Sequence, residues 1–364
     1  MVQELSFSDE LVAAYAGKKV LVTGHTGFKG SWLSLWLYLL GASVYGGSLE
    51  PPSEPSMFSA IDLADVVHTT HTDIRSFDNI SGLMRDVQPE VVFHLAAQPM
   101  VRKSYVEPRE TFETNVMGTV NVLEAARSID SVLVMVNVTS DKCYENREWV
   151  WGYRESDPMG GHDPYSASKG CAELVASSYM RAFFAPDQRP SLGSVRAGNV
   201  IGGGDWGEDR LVPDCIRALS QGVPVKIRNP YATRPWQHVL EPLSGYLILG
   251  ARLLSGETSL CGGWNFGPKD ETTFNVGALV DILCSLWGQG QYEIDDVQHI
   301  HEAHMLKLDC SKARSTLDWS AILSISDALK LTIDWYKAFY RGKPMPVLRE
   351  FTQQQINYYT RLRG

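Results

Sequence analysis

Apolar residues in this chain fall into short continuous runs separated by stretches with helical spacing. Lys19-Val20-Leu21-Val22-Thr23 is a β-branched run closed by a glycine loop and predicts a buried strand. The apolar segment from Ser31 to Leu40 predicts a helix stopped by Gly41, and Ser43 to Tyr45 resumes strand character. Val91 to Leu95 and Val132 to Val138 are two further runs of strand length. Between them, Glu110 to Arg127 places Val116, Val120, Leu123 and Ala126 at helical spacing. Strands that are apolar throughout are buried on both faces, so this order predicts βαβ units and a parallel sheet covered on each side. The remainder is more mixed, with glycine-rich loops expected at Gly202-Gly203-Gly204 and Gly262-Gly263. Helical patterns follow over Val276 to Trp287 and Ile325 to Tyr340. No internal repeat, low-complexity tract or linker is visible.

Composition narrows the functional classes. Hydrophobic residues are 44% and charged residues 21% of 364, ample for a full core. A formal net charge of -9 argues against a broad basic surface for nucleic acid, so a phosphorylated ligand needs local donors. Cys143, Cys171, Cys215, Cys261, Cys284 and Cys310 are scattered without a C-x-x-C pair, which points to reduced thiols in the cytoplasm. The opening MVQELSFSDE is polar and acidic, unlike an export signal. The run Trp32 to Leu40 is about half the roughly 20 residues a membrane-spanning helix needs. Neither a membrane nor a nucleic acid is therefore an expected partner.

Gly24-His25-Thr26-Gly27-Phe28-Lys29-Gly30 leaves the first strand and opens the first helix. Glycines there permit a tight turn and let backbone N–H groups approach a pyrophosphate at the positive end of the helix. The spacing is G-x-x-G-x-x-G, and its place between strand and helix identifies a dinucleotide loop. The fold expected is therefore α/β: a Rossmann-type doubly wound parallel sheet with a smaller mixed α/β C-terminal substrate-binding domain. Residues 1–190 are assigned mainly to the cofactor half and 191–364 mainly to the substrate half, with segments crossing between them. The second strand ends near Ser48, and the carboxylate usual for an adenine ribose is missing unless Glu50 supplies it. No arginine stands there for a 2′-phosphate, which favours NAD. Asp73, before Ile74, is either an acceptor for the adenine amino group or a turn carboxylate.

Tyr165 and Lys169 are four residues apart, on one face of a helix. An ammonium near a phenol favours phenolate and makes it a base for an alcohol proton. The pair follows Ser140, at the end of the Val132–Val138 run, by 25 residues, and that hydroxyl is placed to orient the same substrate oxygen.

With these elements the chain resembles the extended short-chain dehydrogenase/reductases over nearly its whole length. Leu95-Ala96-Ala97-Gln98, Glu113-Thr114-Asn115, Arg196-Ala197-Gly198-Asn199-Val200 and Lys307-Leu308-Asp309-Cys310-Ser311-Lys312 carry the likeness, with Leu317-Asp318-Trp319. Ser140-Asp141-Lys142 is similar to the segment of sugar-nucleotide 4,6-dehydratases, except that lysine stands where others carry glutamate. That lysine, the loop from Gly24 to Ser31 and Thr233-Arg234-Pro235-Trp236-Gln237-His238 resemble the branch that uses CDP-D-glucose. The resemblance implies NAD as cofactor, C4 oxidation, loss of water across C5 and C6, and hydride return to C6. It implies Asp141 as the acid for the departing C6 hydroxyl. Lys142 is the C5 base, a cation steadying the enolate, or a mere salt-bridge partner of Asp141. Leu95, Ala96 and Ala97 would line the cofactor with the glycine loop, Asp73 and Ile74. Gln98, Ser104, Asn199, Arg210, Leu211 and Arg234 would contact substrate, Arg234 gripping the diphosphate. A homodimer or homotetramer, and a role in deoxyhexoses of surface polysaccharide such as lipopolysaccharide O-antigen, are implied in the same way.

Competing readings are a dehydratase or 4-epimerase for another nucleotide sugar, and a non-catalytic NAD-binding regulator. The presence of Ser140, Tyr165 and Lys169 together weighs against the last. His68 and His71 have H-x-x-H spacing without a further ligand nearby, so no metal is expected. His94 reads as a core histidine, and Trp32 and Trp36 as residues packing the first helix onto the sheet.

Overall fold

The computed structural model describes residues 6–184, 189–269, 274–294 and 306–364. Helix α1 (Phe7–Tyr15) precedes a seven-stranded sheet of β1 (Lys19–Thr23), β2 (Ser43–Ser48), β3 (His68–His71), β4 (Val91–His94), β5 (Val134–Val138), β6 (Ser191–Arg196) and β7 (Gly262–Asn265). The order across it is β7-β6-β5-β4-β1-β2-β3, and all neighbours run parallel. The chain winds outward from β1 through β2 to β3, then returns to the other side of β1 at β4. Ligands of doubly wound sheets bind at such a reversal, beyond the carboxyl ends of the strands.

Burial follows the apolar runs. β4 and β5 are buried at every position, whereas the edge strand β3, His-Thr-Thr-His, is exposed throughout. A polar edge discourages pairing with another chain. One face of the sheet is covered by α3 (Phe77–Val87), α4 (Gly118–Arg127) and α5 (Pro164–Ala182), which share a core with Leu21, Val92, Met135 and Leu192. The other is covered by α2 (Phe28–Leu39) and α6 (Leu240–Leu254), in a larger core that reaches α7 (Ile325–Tyr340) and α8 (Met345–Arg363). Each fully buried large apolar side chain in these layers contributes about 1.5–3 kcal/mol.

Several details differ from the expectation. Gly27 caps α2, so the helix starts at Phe28 rather than Ser31 and absorbs the last part of the glycine loop. Trp32 and Trp36 are buried but face the C-terminal elements. Trp32 Nε1 donates to Gly203 O at 2.9 Å, and Trp36 meets Phe7 and Tyr359 edge-on. The cause is that α2 lies between the sheet and α8, so it is buried nearly all round. Gly262 and Gly263 open strand β7 instead of forming a loop, because the Arg196 guanidinium lies against Gly263 where a side chain would stand. Val276–Trp287 and Ile325–Tyr340 are helices with the expected bounds.

The sheet thus takes β6 and β7 from beyond residue 190. The C-terminal part adds small two-stranded pairings, among them Val200–Ile201 with Gln237–His238 and Thr233–Arg234 with Phe274–Asn275. Glu241, on α6, joins the layers. Its carboxylate accepts from the backbone of Ile322 and Leu323 at 2.8 and 2.6 Å and from Tyr359 Oη at 2.6 Å. Glu241→Ala strands two buried N–H groups, at about 1–3 kcal/mol each. The expected result is a loss of about 3 kcal/mol in denaturant unfolding, and an unchanged midpoint would show that the carboxylate does not hold the C-terminal helices in place.

Candidate active site

The glycine loop is shaped by its contact with the strand at the reversal. Gly24 has φ +76°, and a Cβ there would lie 2.6 Å from Ala96 N, so only glycine fits between β1 and the residues after β4. Gly27 caps α2 without a side-chain bond, leaving the first N–H groups of the helix for a ligand. Neighbouring side chains brace this cradle. His25 is buried, and its ring is hydrogen-bonded to Ser48 Oγ at 2.9 Å and Thr69 Oγ1 at 3.2 Å. Burial pushes its pKa down to about 4, so the ring is neutral. Thr26 Oγ1 donates to Leu49 O, and the Phe28 ring lies beside Gly202. His94 is satisfied by Thr23 and Thr119, as a core histidine should be.

Other residues proposed from the sequence are placed around the same crevice with their polar groups partly engaged. Asp73 holds Arg75 through both carboxylate oxygens, and Ile74 is buried against Gly118. Leu95, Ala96 and Ala97 are half-buried at the end of β4. The Gln98 amide donates to Met100 O and to Thr111 Oγ1 on the helix Pro108–Phe112, and Ser104 Oγ donates to Val101 O within its own helix, Val101–Val106. Asn115 sits in a π-helical stretch, Glu113–Met117. It accepts from Gln98 N at 2.8 Å and donates to Ser168 Oγ at 2.9 Å, tying the β4 loop to α5.

The proton-transfer groups converge at the ends of β5 and α5. Asp163 caps α5 and accepts from Ser166 N, and Pro164 suits the first turn, which places Tyr165 and Lys169 on the face toward β5. Ser140 Oγ hydrogen-bonds the Tyr165 phenol and donates to Asp141 Oδ1 at 2.9 Å. Lys169 Nζ donates to Val138 O at 3.4 Å. Asp141 is buried, and its carboxylate fills the space where Gly198 has no side chain: a Cβ there would lie 1.8 Å from Oδ2. Asn199, next in the chain, holds a left-handed backbone with φ +51°. Lys142 is exposed, and the partner of the Asp141 carboxylate is Ser140 rather than Lys142, so the salt-bridge alternative is not what the fold adopts.

Charge at the crevice is concentrated. Lys169 is lowered to about 8, first by burial and then by the like charge of Lys29, against Glu173. Lys29 is lowered to about 8, chiefly by desolvation, while Asp141 opposes the shift. Its charge therefore lies within electrostatic reach of Asp141 and Lys169. Arg210, expected to contact substrate, pairs with Asp205 at 2.9 Å and bears electrostatically on Tyr165. Leu211 opens the helix that follows it. Arg234 Nη1 donates to Thr233 O on the small ribbon. The Tyr165 phenol is pushed up to about 12 by burial, which outweighs the Ser140 hydrogen bond and Arg210. The expected lowering by Lys169 is not the governing effect at this phenol. Among the described residues no three His, Cys, Asp or Glu side chains form a metal cage, and no helix is long and apolar enough to cross a membrane.

A parallel sheet with a glycine-cradled reversal and a Ser-Tyr-Lys set at one strand end defines a dinucleotide-dependent enzyme of the short-chain dehydrogenase/reductase class. A family model described as GDP-mannose 4,6 dehydratase matches residues 21–249. The CDP-glucose 4,6-dehydratase of Salmonella typhimurium is 52% identical over 336 residues, covering 91% of this chain and 94% of that one. The chain belongs to the GDP-mannose 4,6 dehydratase family of extended short-chain dehydrogenase/reductases. Among solved structures, the epimerase Mth375 of Methanothermobacter thermautotrophicus superposes with a TM-score of 0.79 at 22% identity, covering 94% of this chain and 97% of that one. The dTDP-glucose 4,6-dehydratase of Streptomyces venezuelae, solved with NAD, gives 0.74 at 23%, covering 88% and 97%.

The buried phenol leads to a titration test. Tyrosinate absorbance assigned by subtracting Tyr165→Phe from the parent should be absent at pH 10 in cofactor-free protein and rise only toward about 12. A Tyr165 signal already developed at pH 10 would show that a cation dominates over burial.

Proposed function

We propose that this chain is an NAD-dependent hydro-lyase that converts CDP-D-glucose into CDP-4-keto-6-deoxy-D-glucose and water. The observation that carries the reading is 52% identity over 91% of the chain to a CDP-glucose 4,6-dehydratase, with Ser140, Asp141, Tyr165 and Lys169 gathered at one strand end.

The cradle fits NAD: Gly24 meets Ala96 with no room for a side chain, and the uncapped start of α2 offers backbone donors to a pyrophosphate. His25, Ser48 and Thr69 fix the loop, while Asp73, Ile74, Leu95, Ala96 and Ala97 border the remaining length. NAD held there would supply the acceptor for the C4 hydride and, once reduced, the donor of hydride to C6. Tyr165 Oη receives the C4 hydroxyl proton, and Ser140 Oγ, bonded to that phenol, orients the same oxygen. Lys169 and Arg210 supply positive charge near it, which its high proton affinity makes necessary. Asp141, held against Gly198, protonates the departing C6 hydroxyl. Lys142, not engaged by Asp141, serves C5: when neutral it takes the C5 proton as the C6 hydroxyl leaves, then stands as counter-charge to the enolate, and gives the proton back to C5 as hydride reaches C6. Arg234 and Asn199 grip the diphosphate, with Arg210 and Leu211 bordering the base; Gln98 and Ser104 shape the sugar pocket through the loop and helix that follow β4. In this reading residues 1–190 chiefly hold cofactor and 191–364 chiefly hold substrate.

The decisive assay is incubation with CDP-D-glucose and catalytic NAD, followed by mass spectrometry. A product lighter by one water is expected, with turnover reduced on the order of 10²–10⁴-fold in Tyr165→Phe and weaker conversion of dTDP-glucose. An unchanged mass with every nucleotide glucose would overturn the dehydratase reading, and an epimer of equal mass would replace it.

The protein works as a homodimer in this reading, and its six unpaired cysteines suit the reducing cytoplasm. On the helices that pack beside α5, Phe112 and Met117 are exposed, Met117 by 52%, and Leu174 on α5 itself is exposed by 59%. Large apolar side chains left exposed on helices that pack together suit a surface that a second subunit covers. Light scattering of the purified protein should return twice the chain mass, and Leu174→Glu should return one chain mass; a parent monomer would refute this pairing.

A further inference from the structure

Behind Tyr165 and Lys169 the face of α5 continues to Glu173, one turn further on and 4% exposed. Its Oε1 accepts from Thr139 Oγ1 and, at 2.8 Å, from Ser194 Oγ; its Oε2 accepts from Arg196 Nη2 at 2.7 Å. Arg196, equally buried, donates through Nη1 to Tyr144 Oη at 2.6 Å and to Glu155 O at 3.2 Å. Three pieces of the active site meet at this carboxylate. Thr139 immediately precedes Ser140 and Asp141, Arg196 immediately precedes the Ala197-Gly198-Asn199 segment, and Glu173 shares its helix with the tyrosine and lysine.

We infer that Glu173 is a positioning residue for the reaction: by holding Thr139 and Arg196 together, it fixes the Tyr165–Lys169 face of α5 against Ser140–Asp141. The inference rests on the dehydratase reading above. Three residues of α5 then engage the end of β5, Tyr165 with Ser140, Lys169 with Val138 O and Glu173 with Thr139. The Arg196 side of Glu173 borders a cavity of about 350 Å³, also lined by Glu155, Leu174, Met180 and Gly263. These polar links act beside the apolar packing of α5 on the sheet and fix its Glu173 turn against β5 and β6. A buried ion pair of this type returns little net stability, because desolvation of both charges offsets their attraction. Its effect on geometry is larger, since a displacement of about 1 Å at reacting groups costs on the order of 10²-fold in rate. Glu173 also opposes the burial that lowers the Lys169 pKa.

The test replaces both charges by apolar residues of similar length, Glu173→Met with Arg196→Met, so that neither charge is stranded. The double variant should keep its thermal midpoint and its KM for CDP-D-glucose, while kcat falls on the order of 10²-fold. Thr139→Val cuts only the link to β5 and should lower kcat about 10-fold with KM unchanged, as expected for one lost orienting bond; it carries the kinetic test if the double variant does not fold. Wild-type kcat in either folded variant overturns the inference. A substrate-independent readout separates this from failure of the dehydratase reading. By side-chain nitrogen NMR of lysine, with Lys169→Arg for assignment, the Lys169 ammonium should titrate lower in the double variant than in the parent, because Glu173's charge is gone. An unchanged titration overturns the inference even if CDP-D-glucose proves to be the wrong substrate.

Discussion

In-register parallel pairing of β1, β4, β5 and β6 determines where the reacting groups stand, because it brings four carboxyl ends to one edge of the sheet. Thr23 pairs with His94, His94 with Asn137, and Val138 with Val195. The residues after each strand are therefore neighbours: the glycine loop after β1, Leu95-Ala96-Ala97 after β4, Ser140-Asp141 after β5 and Ala197-Gly198-Asn199 after β6. A slip of one residue in any pair would exchange the faces of its side chains and dissolve the crevice. The backbone bond from Asp141 N to Ala197 O, at 3.4 Å, extends that alignment past the strand ends.

Electrostatics then work locally inside an acidic protein. Lys29, Lys169 and Arg210 converge on a crevice that also holds Asp141 and Asp205, so the site is nearly balanced while the molecule carries a net charge of -9. Asp205 raises Arg210 against its burial, whereas desolvation dominates at the two lysines and at Tyr165. Desolvation lowers both lysines and raises the phenol, and partners correct it only in part. A negatively charged nucleotide diphosphate would add the missing counter-charge to the three cations.

Much of this was legible from spacing alone. The apolar runs marked β1, β2, β4 and β5 to within a few residues, and the glycine loop and Tyr165–Lys169 were visible because helices and turns impose short fixed spacings. Glu173 continues the same helical face at the next turn, a signal present in Tyr-x-x-x-Lys-x-x-x-Glu that becomes meaningful only once Thr139 and Arg196 are seen to meet it. Lys29 was readable as part of a loop but not as a charge felt by Asp141, because that influence crosses more than a hundred residues of chain. The polar engagements of Gln98, Ser104 and Asp73 were equally hidden, since a side chain's type states its capacity for hydrogen bonds and not which of them are already made.

The chain by itself determined local matters: which segments are strands or helices, where the glycine cradle opens, and which residue types have the required acid–base chemistry. These depend on periodicity, backbone freedom and intrinsic proton affinity, all encoded within a few residues. Only the tertiary structure decided the long-range ones: that Trp32 and Trp36 face α8 and its neighbours, that Arg196 occupies the side-chain space of Gly263, and that Asp141 occupies that of Gly198. Those outcomes depend on which distant surfaces exclude water together, and close packing admits one arrangement of them.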